Sequence, residues 1–97
     1  MSDGTTLPDQ ARPVLLRGVR THWDAVRGNW VLLAPERAVA LDEIGAAILA
    51  ETDGKTPFTE IVERLAAKYD APREQIATDA RRFLTTLIER RMAEALP

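Results

Sequence analysis

One histidine, His22, and one serine, Ser2, stand in a chain of 97 residues that has no cysteine. No thiol nucleophile, thiolate metal site or disulfide framework is available from that set. A lone histidine also rules out the two-histidine metal motifs, and Ser2 in the leading segment supports no serine triad. The five glycines are scattered singly, so no phosphate-cradling loop exists. Fifteen Asp and Glu are present, yet none falls in a spacing typical of metal chemistry. No catalytic residue, metal or cofactor is therefore expected. His22, on a strand beside Trp23 and Asp24, reads as a partly exposed histidine without a task rather than as a pH-sensitive contact.

What remains is recognition, and the charges indicate which kind. Thirteen Lys and Arg leave a net charge of -2. The arginine pairs Arg81-Arg82 and Arg90-Arg91 suggest a DNA-reading helix. However, residues 73–97 carry five bases against four acids, a balance of only +1. Phosphate contacts supply most non-specific DNA affinity, so a near-neutral helix on an acidic chain is poorly equipped for it. A winged-helix nucleic-acid regulator is kept as the alternative, to be separated by a salt-dependent DNA shift assay. Residues 36–63 hold seven acids and two bases, a balance of -5. This stretch reads as a solvated helical surface with caps, or as a docking face for a basic partner.

Composition sets the frame for these groups. The apolar set makes up 45% and charged residues 29%, enough for one small core and one domain. No apolar run approaches the roughly 20 residues that span a bilayer, and no signal-peptide pattern opens the chain. A cytoplasmic protein without membrane contact is expected.

Residues 1–13, broken by Gly4, Pro8 and Pro13, are expected to form a flexible N-terminal tail, with residues 14–97 as the domain. From Val19 the pattern alternates with period two through Thr21, Trp23 and Ala25. Gly28-Asn29 supplies a two-residue turn. With Arg27 paired to Trp30, Trp23 faces Ala34 and both tryptophans share one face as core anchors. Pro35 ends the second strand, and Arg37 to Leu41 make a third, mild strand expected at the edge of the sheet. Helical spacing follows. Asp42 is a cap for Ile44, Ile48 and Leu49, and Asp53-Gly54 is a stop. Thr56-Pro57 restarts a face of Phe58, Ile61, Val62, Leu65, Ala66 and Tyr69. Pro72 opens the longest stripe, Ile76, Ala80, Phe83, Leu84, Leu87, Ile88 and Met92. The expected fold is α+β, with a three-stranded antiparallel sheet over about 19–41 followed by three helices over about 42–94.

The segments His22 to Arg27, Val31 to Glu36, Ile48-Leu49, Asp53-Gly54, Ile61-Val62 and Leu65, in this order and at these gaps, resemble the pyrroloquinoline quinone biosynthesis protein D (PqqD) family. Tyr69 to Pro72 and the stretch from Asp79 to Phe83-Leu84 continue the resemblance, which runs from about Pro13 to Leu96. It implies a winged helix-turn-helix-like recognition element for ribosomally made peptides. Such a domain is a peptide chaperone without catalysis of its own in the biosynthesis of pyrroloquinoline quinone (PQQ). It would bind the precursor peptide PqqA and deliver it to the radical S-adenosylmethionine (SAM) enzyme PqqE, which cross-links a glutamate to a tyrosine.

An edge strand offers unpaired N–H and C=O groups to which an extended peptide can add. The expected peptide-binding residues are therefore Arg37, Ala38, Val39, Ala40 and Leu41. Ile76, Ala80, Phe83 and Leu84 from the first half of the last helix would line the groove beside them, with Arg73 and Asp79 at the rim choosing peptide charge. Leu87 and Ile88 are read as core. Four backbone bonds at roughly 0.5–1.5 kcal/mol each barely cover the ordering cost of a flexible peptide. Burying about 200 Å² of apolar surface adds roughly 5 kcal/mol, which brings binding to the micromolar range or tighter. Glu51 and Asp53 are the candidate docking residues for the enzyme. Peptide register and oligomeric state, monomer or homodimer, stay open at this level.

Overall fold

A computed structural model describes residues 7–97. The expected sheet is present: β2 (Arg20–Asp24), β3 (Asn29–Ala34) and β4 (Arg37–Leu41) pair antiparallel in the order β2-β3-β4. Three helices follow, α1 (Glu43–Ala50), α2 (Phe58–Tyr69) and α3 (Arg73–Glu89). Two further strands were not anticipated. β1 (Arg12–Leu15) and β5 (Ala93–Leu96) form a separate antiparallel pair that joins the two ends of the fold.

The β2–β3 hairpin departs from the expected register. Trp23 pairs with Trp30 and Asp24 with Asn29, so the loop holds four residues, 25–28. The cause is the Asp24 carboxylate, whose Oδ1 accepts from the amides of Val26 and Arg27 at 3.1 and 3.2 Å. Gly28 then donates back to the Asp24 carbonyl at 2.7 Å, with φ 71. An aspartate that satisfies its own turn outcompetes the tighter Gly-Asn turn. The tryptophans do share a face, but as a directly opposed pair, and both stay largely exposed instead of anchoring the core. Between β3 and β4 the turn is Pro35-Glu36, closed by the Ala34–Arg37 pair, with Glu36 at φ 62.

The expected tail is shorter than 13 residues. Residues 1–6 lie outside the described residues, whereas Leu7 is fully buried and Arg12 and Pro13 belong to β1. This segment does physical work for α2, which begins after Pro57 without a side-chain cap. The first amides of that helix need acceptors. Phe58 donates to the Ala11 carbonyl at 2.8 Å and Thr59 to the Asp9 carbonyl at 3.0 Å. Arg81 of α3 clamps the same segment. Its guanidinium lies 4.5 Å from the Phe58 ring centroid, donates to the Leu7 carbonyl at 3.1 Å and pairs with the Asp9 carboxylate.

Asp42 caps α1 as expected, accepting from the Gly45 amide at 2.7 Å. Gly54 is not the helix cap; α1 closes at Glu51. Gly54, at φ 76, instead lets β1 approach, donating to the Pro13 carbonyl at 2.9 Å. A Cβ there would stand 3.1 Å from Val14 Cγ2. The last helix is also shorter than expected. Arg91 takes φ 61 and Met92 donates to the Leu87 carbonyl at 2.9 Å, which turns the chain into β5. No glycine marks this stop, so the end of the helix was not readable. The core gathers Leu32 and Leu41 of the sheet, Ile48 and Leu49, Phe58, Ile61, Val62 and Leu65, and Leu84, Leu87 and Met92.

Candidate functional site

β4 is an edge strand, as its mild composition predicted. Counting from the Ala34–Arg37 pair that closes the turn, alternate residues along β4 bond to β3. Val39 and Leu41 are then ladder-bonded, while the N–H and C=O groups of Ala38 and Ala40 point away from the sheet. Four backbone groups stand open to a guest strand. Arg37, Ala38 and Ala40 are exposed, Val39 is half-buried and Leu41 is buried.

At one end of β4, Arg37 Nη2 donates to the Arg90 carbonyl at 3.1 Å, which holds the end of α3 alongside the strand. At the other end the chain turns at Asp42 into α1, and α1 meets α3 through Gly45. A Cβ on Gly45 would lie 3.4 Å from Phe83 Cζ, so the bare glycine lets the ring close on α1. At this second tie, between α1 and α3 and at the Asp42 end of β4, lies a cleft of about 470 Å³. Asp42 at the cap and Ile44, Gly45 and Ile48 of α1 line it on one side, and Asp79, Arg82, Phe83 and Thr86 of α3 on the other.

The helix residues expected in the groove divide by face, not by half. Asp79 and Phe83 line the cleft. Ile76, Ala80 and Leu84 are buried in the core together with Leu87, because they lie on the side of α3 turned into the core. Arg73 is not at this rim. Its guanidinium donates to Thr59 Oγ1 at 2.9 Å and sits 3.9 Å from Glu63, both on α2. Arg82, Thr86 and Ile44 were missed. The first two sit three and seven positions beyond Asp79, a helical-face signal that a reading limited to apolar residues passes over.

The acids proposed for enzyme docking have partners within the chain. Glu51 pairs with Arg64 at 2.9 Å. One oxygen of Asp53 accepts from the Lys55 and Thr56 amides, both at 2.8 Å, and the other accepts from Thr56 Oγ1. These bonds, the Lys55 amide foremost, hold the Asp53 carboxyl below its ordinary value. Arg81 is likewise engaged, so the Arg81-Arg82 pair does not present two free cations to a phosphate backbone. Among the described residues no group of three His, Cys, Asp or Glu could hold a metal ion. No helix among them is long and apolar enough to cross a membrane.

An edge-open three-stranded sheet on three helices is a winged helix-turn-helix-like α+β domain. Residues 29–93 match the model of the family described as coenzyme PQQ synthesis protein D (PqqD). A PqqA binding protein of Rhizobium meliloti (strain 1021) is 52% identical over 80 residues, which cover 82% of each chain. Another, of Xanthomonas campestris pv. campestris (strain 8004), is 40% identical over 88 residues, 91% of this chain and 96% of that one. Two solved structures share the fold. The solution structure of the PqqD truncation of Methylobacterium extorquens PqqCD, described as a functional and stand-alone recognition element for ribosomally synthesized and post-translationally modified peptides, aligns with a TM-score of 0.75 at 40% identity. It covers 84% of this chain and 87% of that one. The crystal structure of PqqD from Xanthomonas campestris aligns with a TM-score of 0.56 at 42% identity, covering 80% and 87%. The chain belongs to the PqqD family.

Proposed function

We propose that this protein recognises the precursor peptide PqqA in PQQ biosynthesis and delivers it to the radical SAM enzyme PqqE, performing no chemistry itself. The observation that carries this reading is the open edge of β4 beside the α3 cleft, and the names of the relatives support it. PqqA adds as a strand against Arg37 to Leu41, bonding to the outward groups of Ala38 and Ala40. Its apolar side chains settle on Phe83 and Ile44, and Asp79 and Arg82 read its charge. Ile76, Ala80 and Leu84 act from behind by fixing the helix that carries Phe83. Because ribosomal peptides are made in the cytoplasm, the protein acts there.

A two-dimensional NMR titration of the full chain with PqqA tests this. Amide signals of residues 37–41 and 79–86 should move together to saturation; a static β4 at saturating peptide refutes strand addition. Proline scanning gives the second test. Ala40→Pro removes an outward donor and leaves the β3 ladder intact, so the fold should persist while peptide affinity falls about tenfold or more. Val39→Pro removes a ladder bond and should unfold the sheet itself.

A further inference from the structure

The sheet has a second free edge. In the order β2-β3-β4, β2 borders the sheet on the side away from β4. Trp30, Leu32 and Ala34 of β3 direct their backbone groups to β4, where they stand opposite Leu41, Val39 and Arg37. β3 therefore bonds β2 through Asn29, Val31 and Leu33, whose partners are Asp24, His22 and Arg20. The N–H and C=O groups of Thr21 and Trp23 point outward. Neither residue makes another backbone bond among the described residues.

The side chains along this edge are as open as its backbone. Trp23 and Trp30 meet edge to face, 5.5 Å between centroids at 67°, yet they are 47% and 41% exposed. Together with Thr21 they overhang a hollow of about 600 Å³ against Ala46, Ala47 and Ala50 of α1. These are the chain's only two tryptophans. Apolar rings at the border of a sheet, beside free N–H and C=O groups, are what strand pairing covers. On the outer face of β2 stand Arg20, His22 and Asp24. Arg20 is exposed and has no ion pair among the described residues. Asp24 binds the Val26 and Arg27 amides through Oδ1 alone, and its Oδ2 lies 3.9 Å from the exposed Arg27.

This strand is its own complement. Set antiparallel to a second copy about a two-fold axis through His22, Thr21 of each copy stands opposite Trp23 of the other. The outward groups of the two edges then meet in four backbone bonds. Arg20 of each copy faces Asp24 of the other, which gives two ion pairs on the outer face. On the inner face the two Trp23 rings become diagonal neighbours, within the roughly 7–8 Å that aromatic side chains bridge. All four tryptophans of the pair then lie in one band. The β4 edge lacks this symmetry. Turned about Val39, it sets Arg37 against Leu41 and leaves the cation without an acid. The opening at β4 thus suits a foreign strand, whereas β2 suits its own copy. Five residues a side fall short of the roughly 1,200 Å² of a standing interface, so the association is reversible.

We propose that two copies of this chain join through their β2 edges into one continuous sheet, a reversible dimer whose two β4 edges both stay open. The dimer stands on the β2 edge alone and does not depend on the peptide reading. Sedimentation of the full chain without peptide, up to about 1 mM, should show a monomer–dimer equilibrium. Tryptophan emission should move to shorter wavelength as the dimer forms. Thr21→Pro removes an outward donor and leaves the β3 ladder intact. Arg20→Glu sets a carboxylate against Asp24 of the other copy. Each should raise the dissociation constant about tenfold or more with the thermal transition kept. Arg20→Glu, at an exposed side chain, decides alone if the proline unfolds the sheet. Ala40→Pro, on the opposite edge, should leave the constant within about twofold, and saturating PqqA should leave the dimer whole. A chain that is still monomeric at about 1 mM overturns the proposal, and so does a dimer of parent strength in Arg20→Glu. A dimer that Ala40→Pro or PqqA dissolves is a β4 pairing and overturns it as well. A β2 dimer whose β4 amides ignore PqqA upholds the proposal and refutes the peptide reading instead.

Discussion

Arg81 shows how one side chain can replace a motif. It stacks on Phe58, holds the Leu7 carbonyl and pairs with Asp9, so the leading segment and the start of α2 converge on one guanidinium of α3. In the sequence it is half of a basic pair on a near-neutral helix, and neither spacing nor neighbours reveal the clamp. Arg81→Ala should cost about 1–2 kcal/mol, read from urea denaturation, with amide exchange accelerated first at the start of α2. Asp53 carries the pH dependence. The amides of Lys55 and Thr56 favour its ionised form and lower its native value below 3.8. Its contribution to stability is full above the unfolded value near 3.8 and is lost as pH falls through the lowered native one. Asp53→Asn keeps an acceptor but cannot titrate. Urea midpoints measured at successive pH values should therefore fall less steeply below about 3.8 than in the parent. The tryptophans were legible as a same-face pair but not as an exposed one. Local alternation reports which side of a strand a residue takes, not where the opposing helices stop.

Elements with a strong period were readable, and those defined by distant partners were not. β2 to β4 and the three helices follow from alternation, helical stripes and caps. β1 and β5 are four-residue strands, Arg-Pro-Val-Leu and Ala-Glu-Ala-Leu, with no alternation to announce them. Their pairing joins Arg12 to Leu96, a contact that no local window contains. The hairpin register was misread because Gly28-Asn29 makes a valid short turn and only the Asp24 carboxylate decides against it. On α3 the apolar stripe was correct, but dividing it into halves was not, since a helix buries by face. Phe83 and Leu84 are neighbours on different faces and separate the two roles. Leu84→Ala should lose about 2–5 kcal/mol of stability as a buried leucine. Phe83→Ala should lose less stability and more peptide affinity, with denaturation and calorimetric titration reading the two effects on the same samples.

At the scale of the whole molecule, the chain closes on itself. β1 and β5 zip together, Arg12 Nη2 donates to the Pro97 carbonyl at 2.7 Å, and β1 is held from its other side by Asp53 and Gly54. This ladder is separate from the β2–β4 sheet, so the device that gathers the first and last strands makes no use of the edge at Ala38 and Ala40. A host polypeptide could thus enter and exit this module at a single point, and the cassette could be grafted onto either flank of an enzyme or spliced into one of its surface loops. A circular permutant that links 97 to 12 through a short glycine-serine bridge and opens between Val26 and Arg27 should keep its thermal transition and still capture PqqA. A permutant that cannot fold would mean that the order of synthesis, and not adjacency of the ends, secures the architecture.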